Sequence, residues 1–281
     1  MQPLAALTPT EVMGIDRVVF DLDDTLLTAG RLTEAAYGAL FRLREGGFEL
    51  VACTGRPASF AEVIVRQWPI DAAIAENGAI AFSVGASGLV THDTASPSDR
   101  AVRRARLAEV VAELRGTFDA LHLADDNHGR VTDIAFDIGE HRSVDRAVVA
   151  SARRLAHARG VRTFASAIHM HLTLDAFDKA TGFAALARAR GMDPVRAVRS
   201  SAFVGDSSND APAFAAFGLT LGVANVATHR ASLTVPPRFV SLAEKGAGFV
   251  EIATTLLARA LNEGGDSRRG KLDSDRAQRG L

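Results

Sequence analysis

The amino-acid sequence predicts an α/β fold, a Rossmann-like core with a parallel sheet interrupted by a smaller α+β insert. Three observations carry that prediction. Largely apolar runs at 18–20, 48–53 and 201–205 end abruptly in Asp21, Thr54-Gly55 and Asp206, and a helical pattern follows each. Strands that read as near-continuous apolar runs belong to parallel sheets covered on both faces. Between 83 and 174 the rhythm changes to two rounds of helix, strand, strand, which predicts a small antiparallel sheet with helices on one face. Finally, 281 residues is near the length at which one core divides. The expected organisation is a core of 15–82 and 175–262, an insert of 83–174, and flexible termini at 1–14 and 263–281.

Each element has a local reason. Thr33 caps a helix reaching residue 45, with Ala36, Leu40 and Leu43 on one face, and Gly46-Gly47 stops it. The strand at 48–53 runs through Thr54-Gly55-Arg56-Pro57 into a helix at 59–67. A strand at 72–75 follows, and Glu76-Asn77-Gly78 turns the chain into a hairpin-like strand at 79–82. In the insert, helices at 99–115 and 144–159 alternate with strands near 121 and at 131–138, 161–165 and 168–174. The arginines of those helices, interspersed with acids, predict a solvated face. The core resumes with a helix at 181–190, a strand at 201–205, a helix at 211–217, short strands at 219–223 and 239–242, and a closing helix at 248–261. The proline-bearing first residues read as a loose arm, and the Gly-, Arg-, Asp- and Ser-rich stretch after 261 as disordered.

Composition narrows the partners. With 47% apolar and 23% charged residues and a formal net charge of -1, the chain offers no overall basic surface for nucleic acid or membrane. Cys53 is the single cysteine, which excludes an internal disulfide and suits a reducing compartment, so cytoplasm is the expected location. The first fourteen residues lack a signal-peptide pattern, and nowhere do eighteen apolar residues run together. With no heptad run, a monomer or weak homodimer is expected.

The acids at the strand ends carry the chemistry. Ligands of open α/β sheets collect outside the carboxyl ends of the strands. Asp21 suits a nucleophile that attacks phosphorus, and Asp23 the acid and base that protonates the leaving alkoxide and later activates water. Magnesium takes hard oxygens, for which Asp21, Asp206 and the backbone carbonyl of Asp23 are candidates, while Asn209 and Asp210 orient the ligands. Thr54, the Gly55 amide and Lys179 would hold the phosphoryl oxygens. Alone, Asp206 and Asp210 could merely cap the next helix, and Lys179 could be a surface lysine; their combination with the first acids favours the metal reading. Arg56 is read either as a phosphate contact or as the partner of an acid, and Asn77 as facing the crevice or serving the turn. His169 and His171 alternate onto one strand face, where sheet packing is favoured over a substrate contact.

Asp21-Leu22-Asp23-Asp24-Thr25, Thr54-Gly55-Arg56, Lys179 and Gly205-Asp206-Ser207-Ser208-Asn209-Asp210 resemble, in order and spacing, the four motifs of the haloacid dehalogenase superfamily. An insert between the second and third motifs resembles the Cof-type, subfamily IIB, sugar-phosphate phosphatases, in which it forms a cap over the substrate. The resemblance covers roughly residues 16–260. It implies that Asp21 is the nucleophile, Asp23 the acid and base, and Asp206 a magnesium ligand. One departure is Asp24, where many members have glycine. The expected function is magnesium-dependent hydrolysis of a small phosphorylated metabolite, a sugar phosphate or similar polyol phosphate. A phosphosugar mutase is the alternative; a phosphorylation-controlled receiver module would need neither the insert nor the second aspartate.

Overall fold

The computed structural model describes residues 1–165 and 168–261. Thirteen strands lie in two sheets. In chain order they are β1 (Gln2–Pro3), β2 (Arg17–Phe20), β3 (Glu49–Cys53), β4 (Ala72–Ala75), β5 (Ile80–Gly85), β6 (Gly88–Asp93), β7 (His122–Leu123), β8 (Asp133–Asp137), β9 (Arg162–Ala165), β10 (His169–Thr173), β11 (Ser201–Gly205), β12 (Leu219–Gly222) and β13 (Phe239–Val240). The larger sheet has the order β1-β13-β12-β11-β2-β3-β4-β5-β6. It is parallel from β1 to β4, and β5 and β6 join antiparallel at one edge.

The helices are α1 (Pro9–Val12), α2 (Glu34–Glu45), α3 (Ala58–Gln67), α4 (Pro97–Thr117), α5 (Arg146–Ala158), α6 (Lys179–Ala189), α7 (Pro194–Arg199), α8 (Ala211–Ala216) and α9 (Lys245–Leu261). Strand alternation divides the core between two layers of them. Val18 and Phe20 of β2 pack with Leu40 of α2, Ile64 of α3 and Phe249 of α9, whereas Val19 faces Phe183 of α6 and Phe214 of α8. Central β2 is therefore apolar on both sides, as its sequence requires. Its carboxyl end opens between β3 and β11.

Residues 97–173 contain the second sheet, in the order β7-β8-β10-β9 and antiparallel throughout. Its apolar face, with Ile134, Phe136, Met170 and Leu172, packs on Leu107, Val110 and Leu114 of α4 and Ala152 and Ala156 of α5. The opposite face carries Asp133, Asp137, His169, His171 and Thr173. No helix among the described residues is long and apolar enough to cross a membrane.

Several expectations need correction. The opening arm is not loose: Gln2 and Pro3 pair with Phe239 and Val240 as the edge strand β1, and Leu4, Leu7 and Val12 are buried. Three apolar side chains suffice to dock it beside α9, whatever its prolines suggest. The large sheet continues past residue 82, because the hairpin β5–β6 carries it to Asp93. Half-exposed Gly88–Asp93 has too little apolar pattern to read as a strand. Helix α7 was also missed, although Asp193 accepts from the Arg196 amide at 2.7 Å in an Asp-Pro start. The insert arginines are not all solvated. Arg100 is buried between Asp93 and Asp175, Arg103 also pairs with Asp175, and only pairs such as Arg106–Glu109 and Arg159–Glu113 behave as expected. The stretch after 261 lies outside the described residues.

Candidate active site

Asp21 follows the last residue of β2, and its amide donates to Val204 O at 2.9 Å, which keeps the first acid level with β11. The chain then leaves the sheet in a tight loop closed by Leu27 N–H to Leu22 O at 2.8 Å. Asp24 adopts φ 55° and ψ 13° there, the left-handed region. Because the strand ends before this loop, Asp21 and Asp23 do not point alike. Asp21 is buried, while Asp23 swings out to a two-pronged contact with Arg56 (Nη2 to Oδ1 2.6 Å, Nε to Oδ2 2.9 Å). The Arg56 guanidinium also lies 4.5 Å from the centre of the Phe60 ring. Arg56 thus pairs with an acid in this structure.

Lys179 opens α6, which Asp178 caps by accepting from the amides of Ala180 and Thr181. The helix start can abut the Glu76–Gly78 turn because Gly78 has no side chain. A Cβ there would lie 2.1 Å from Asp178 O, and φ is +110°. Buried Lys179 thereby reaches Asp21 Oδ1 at 2.7 Å and Asp210 Oδ1 at 2.6 Å. Burial opposes its charge, but those two carboxylates outweigh that and hold its pKa above the usual lysine value.

Asp206 follows β11, and its oxygens accept from Thr25 Oγ1 at 3.1 Å and Asn225 Nδ2 at 2.8 Å. Asp210 turns back so that Oδ2 accepts the amides of Asp206 and Ser207 at 2.9 and 3.0 Å. A Cβ on Gly205 would stand 2.5 Å from that oxygen, so the motif needs glycine at this close approach. Asn209 accepts from Ser207 Oγ at 2.7 Å and faces Asn77.

Thr54 is fully buried, and its Oγ1 accepts the Arg56 amide at 3.1 Å, which leaves its proton free to donate. Asn77 sits at φ 56° in the turn and lays its amide beside Gly55, so it both serves the turn and faces the loop after β3. His169 pairs with Glu140 at 2.8 Å; His171 pairs with Asp133 at 2.9 Å and stacks on Phe164. These contacts are packing within the small sheet and its loops.

Single oxygens of Asp21, Asp206 and Asp210 lie within 4.8 Å of one another. Three buried carboxylates facing one lysine leave two negative charges uncompensated when all are ionised. Burial, with the Asp210 charge beside it, pushes Asp206 up to about 7, and burial raises Asp21 strongly as well. A divalent cation supplies the missing charge, so hard-oxygen magnesium fits this donor set. The Asp23 side chain stands outside the trio.

Sequence reasoning missed Asn225, Thr25, Lys245, Glu76 and Arg130. The Glu76 carboxylate accepts from the Ala58 amide and, across the junction, from the amides of Val131, Thr132 and Asp133 and the Thr132 hydroxyl. Arg130 donates to Gly55 O at 3.2 Å and pairs with Asp126 and Asp133. None of these lies in a local pattern, apart from Thr25 at the end of the first motif and Glu76 in an already noticed turn.

The sequence from 18–103 matches the profile of the haloacid dehalogenase-like hydrolases. No curated protein matches the chain significantly. Among solved structures, protein 0175 of Thermoplasma acidophilum is similar with a TM-score of 0.68 at 20% identity, over 86% of this chain and 98% of that one. A haloacid dehalogenase-like hydrolase from Bacteroides thetaiotaomicron gives 0.63 at 15% identity, over 85% and 98%. The sucrose-phosphatase of Synechocystis, solved with sucrose and phosphate, gives 0.60 at 17% identity, over 86% and 98%. The profile match thus covers the first part of the core, and the fold is shared with these solved structures along most of the chain.

Proposed function

We propose that the protein is a magnesium-dependent phosphatase that hydrolyses a small phosphorylated metabolite, a sugar phosphate in the first instance, through an aspartyl phosphate on Asp21. The observation that carries this reading is the Asp21 carboxylate. Its Oδ1 is fixed by Lys179, whereas Oδ2 meets no hydrogen-bond donor among the described residues. Oδ2 attacks phosphorus as the bond to the leaving alkoxide breaks. Lys179, the Thr54 hydroxyl and the Gly55 amide bind the phosphoryl oxygens.

Asp23, in its protonated form and free of the Arg56 pair, gives its proton to the alkoxide and then takes one from the water that attacks the phosphorus of the intermediate, releasing phosphate and regenerating Asp21. Magnesium held by Asp21, Asp206 and the Asp23 carbonyl would neutralise charge on the transferring group. Asp210 orients Lys179 and the Asp206 backbone. The insert serves as a cap that covers the leaving group and keeps out bulk water. The likeness to a sucrose-phosphatase supports a sugar phosphate as substrate.

The test is phosphate release from a panel of phosphorylated metabolites with magnesium, with EDTA, and for Asp21→Asn. Release by the parent in magnesium alone, abolished in the variant, is expected. Transfer to a sugar hydroxyl in the presence of a hexose bisphosphate, without free phosphate, would point to a mutase instead.

A further inference from the structure

We infer that Lys245 sets the magnesium affinity of the site by neutralising Asp24, and that Asn225 holds this pair in register with Asp206; the inference rests on the magnesium reading above. Asp24 departs from the glycine common in the motif it resembles. Its φ of 55° accounts for glycine there, and a side chain at this point adds negative charge beside the metal acids. Asp24 lies beside the site, since its carbonyl and the Asp206 carboxylate accept from the same Asn225 amide.

Lys245 Nζ lies 3.0 Å from Asp24 Oδ1. Lys245 is itself left-handed, with φ 52°. Both strained residues are tied to one side chain. Asn225 Oδ1 accepts the Lys245 amide at 2.9 Å, while Asn225 Nδ2 donates to Asp24 O at 3.0 Å and to Asp206 Oδ2 at 2.8 Å. A single amide thus joins the loop after β2, the start of α9 and a metal acid.

Stability does not account for the arrangement. The Lys245 and Asp24 side chains are 33% and 49% exposed, and an ion pair so wet adds little to folding. Its effect is on charge. Asp24 alone would draw a divalent cation more strongly, Lys245 alone would repel it, and the pair leaves the site close to the charge it has with glycine. Lys245 is therefore a positioning and tuning residue that acts through Asp24.

The experiment is calorimetric titration of Mg2+ into the full chain at fixed pH and ionic strength, for the parent, Lys245→Gln, Asp24→Asn and the double variant. Asparagine tolerates the left-handed backbone, so Lys245→Asn replaces Lys245→Gln if the latter fails to fold. Lys245→Gln should tighten Mg2+ about three- to tenfold, Asp24→Asn should weaken it by a similar factor, and raised salt should shrink both changes. The double variant should return to within about twofold of the parent, because the two changes are coupled. Lys245→Arg should match the parent. Single variants that move the affinity in the same direction, or not at all, overturn the inference while leaving the metal reading intact. A parent that binds no Mg2+ overturns both.

Discussion

The catalytic floor and the root of the insert both bury clusters of acids, but they balance them in opposite ways. At the floor, Lys179 pairs with Asp21 and Asp210, while Asp206 beside them is met by the Thr25 hydroxyl and the Asn225 amide. At the root, Asp93, Asp126, Asp133 and Asp175 are met by Arg100, Arg103 and Arg130, and Glu76 by a ring of amides. Acids paired with arginine differ from those that are not: Glu76, met by amides rather than by a cation, is raised by burial and by the Asp133 charge beside it. Burial pushes Asp206 up to about 7, whereas at Asp93 and Asp133 the same burial is outweighed by Arg100 in one case and by the His171 hydrogen bond and Arg130 in the other, so both fall below the usual range. Buried acid by itself is common to both regions. A shortage of positive charge distinguishes the floor, where the magnesium of the proposed function would sit.

Four measurements can break or sharpen this contrast. The largest effect belongs to Asp21→Asn, expected to lower phosphate release by roughly three orders of magnitude or more, since it removes the attacking oxygen. Turnover retained in that variant would leave the floor with no more chemistry than the root.

Next is Glu76→Ala at the root, which strips the acceptor from a buried set of donors on both sides of the junction. A loss on the order of 3 kcal/mol in urea unfolding is expected. An unchanged midpoint would mean that water replaces the carboxylate and that the junction is not as dry as its burial suggests.

The third measurement uses pH. Asp206 is raised in the folded state, so the native protein holds its proton longer than the unfolded chain does, and this contribution to stability declines as pH climbs from about 4 to about 7. With EDTA, the melting temperature should therefore fall across that window, and magnesium should restore it at the upper end. Asp93 and Asp133 are lowered, so their contribution is present above the ordinary aspartate pKa and is lost only on acidification below about 4. A profile that is flat with EDTA between pH 4 and 7 would remove the proposed difference between the regions.

The smallest effect is expected from Glu113→Gln, which breaks a solvent-facing pair with Arg159 on the insert. Its unfolding midpoint should coincide with the parent's within error. A clear drop would show that wet arginine pairs matter here as much as the buried ones at the root.

The sequence by itself determined the alternation of strands and helices, the acids at the strand ends and the interruption of the core. Each of these is written in short-range terms: an apolar run such as 18–20, the stop at Gly46-Gly47, the Gly-Asp-x-x-Asn-Asp stretch at 205–210. Only the tertiary structure decided that Gln2 and Pro3 would complete a sheet edge beside residue 239, or that Arg100 would be buried between acids 93 and 175 rather than solvated. It alone joined Asn225 to Asp24 and Lys245, and Glu76 to the insert. The physical reason is reach. Periodicity and capping act over a few residues and leave their mark on composition. The partner of a charge or an amide is chosen by whichever distant group folding brings within 3 Å, and a polar side chain reads the same in sequence whether that partner is water or a buried ion.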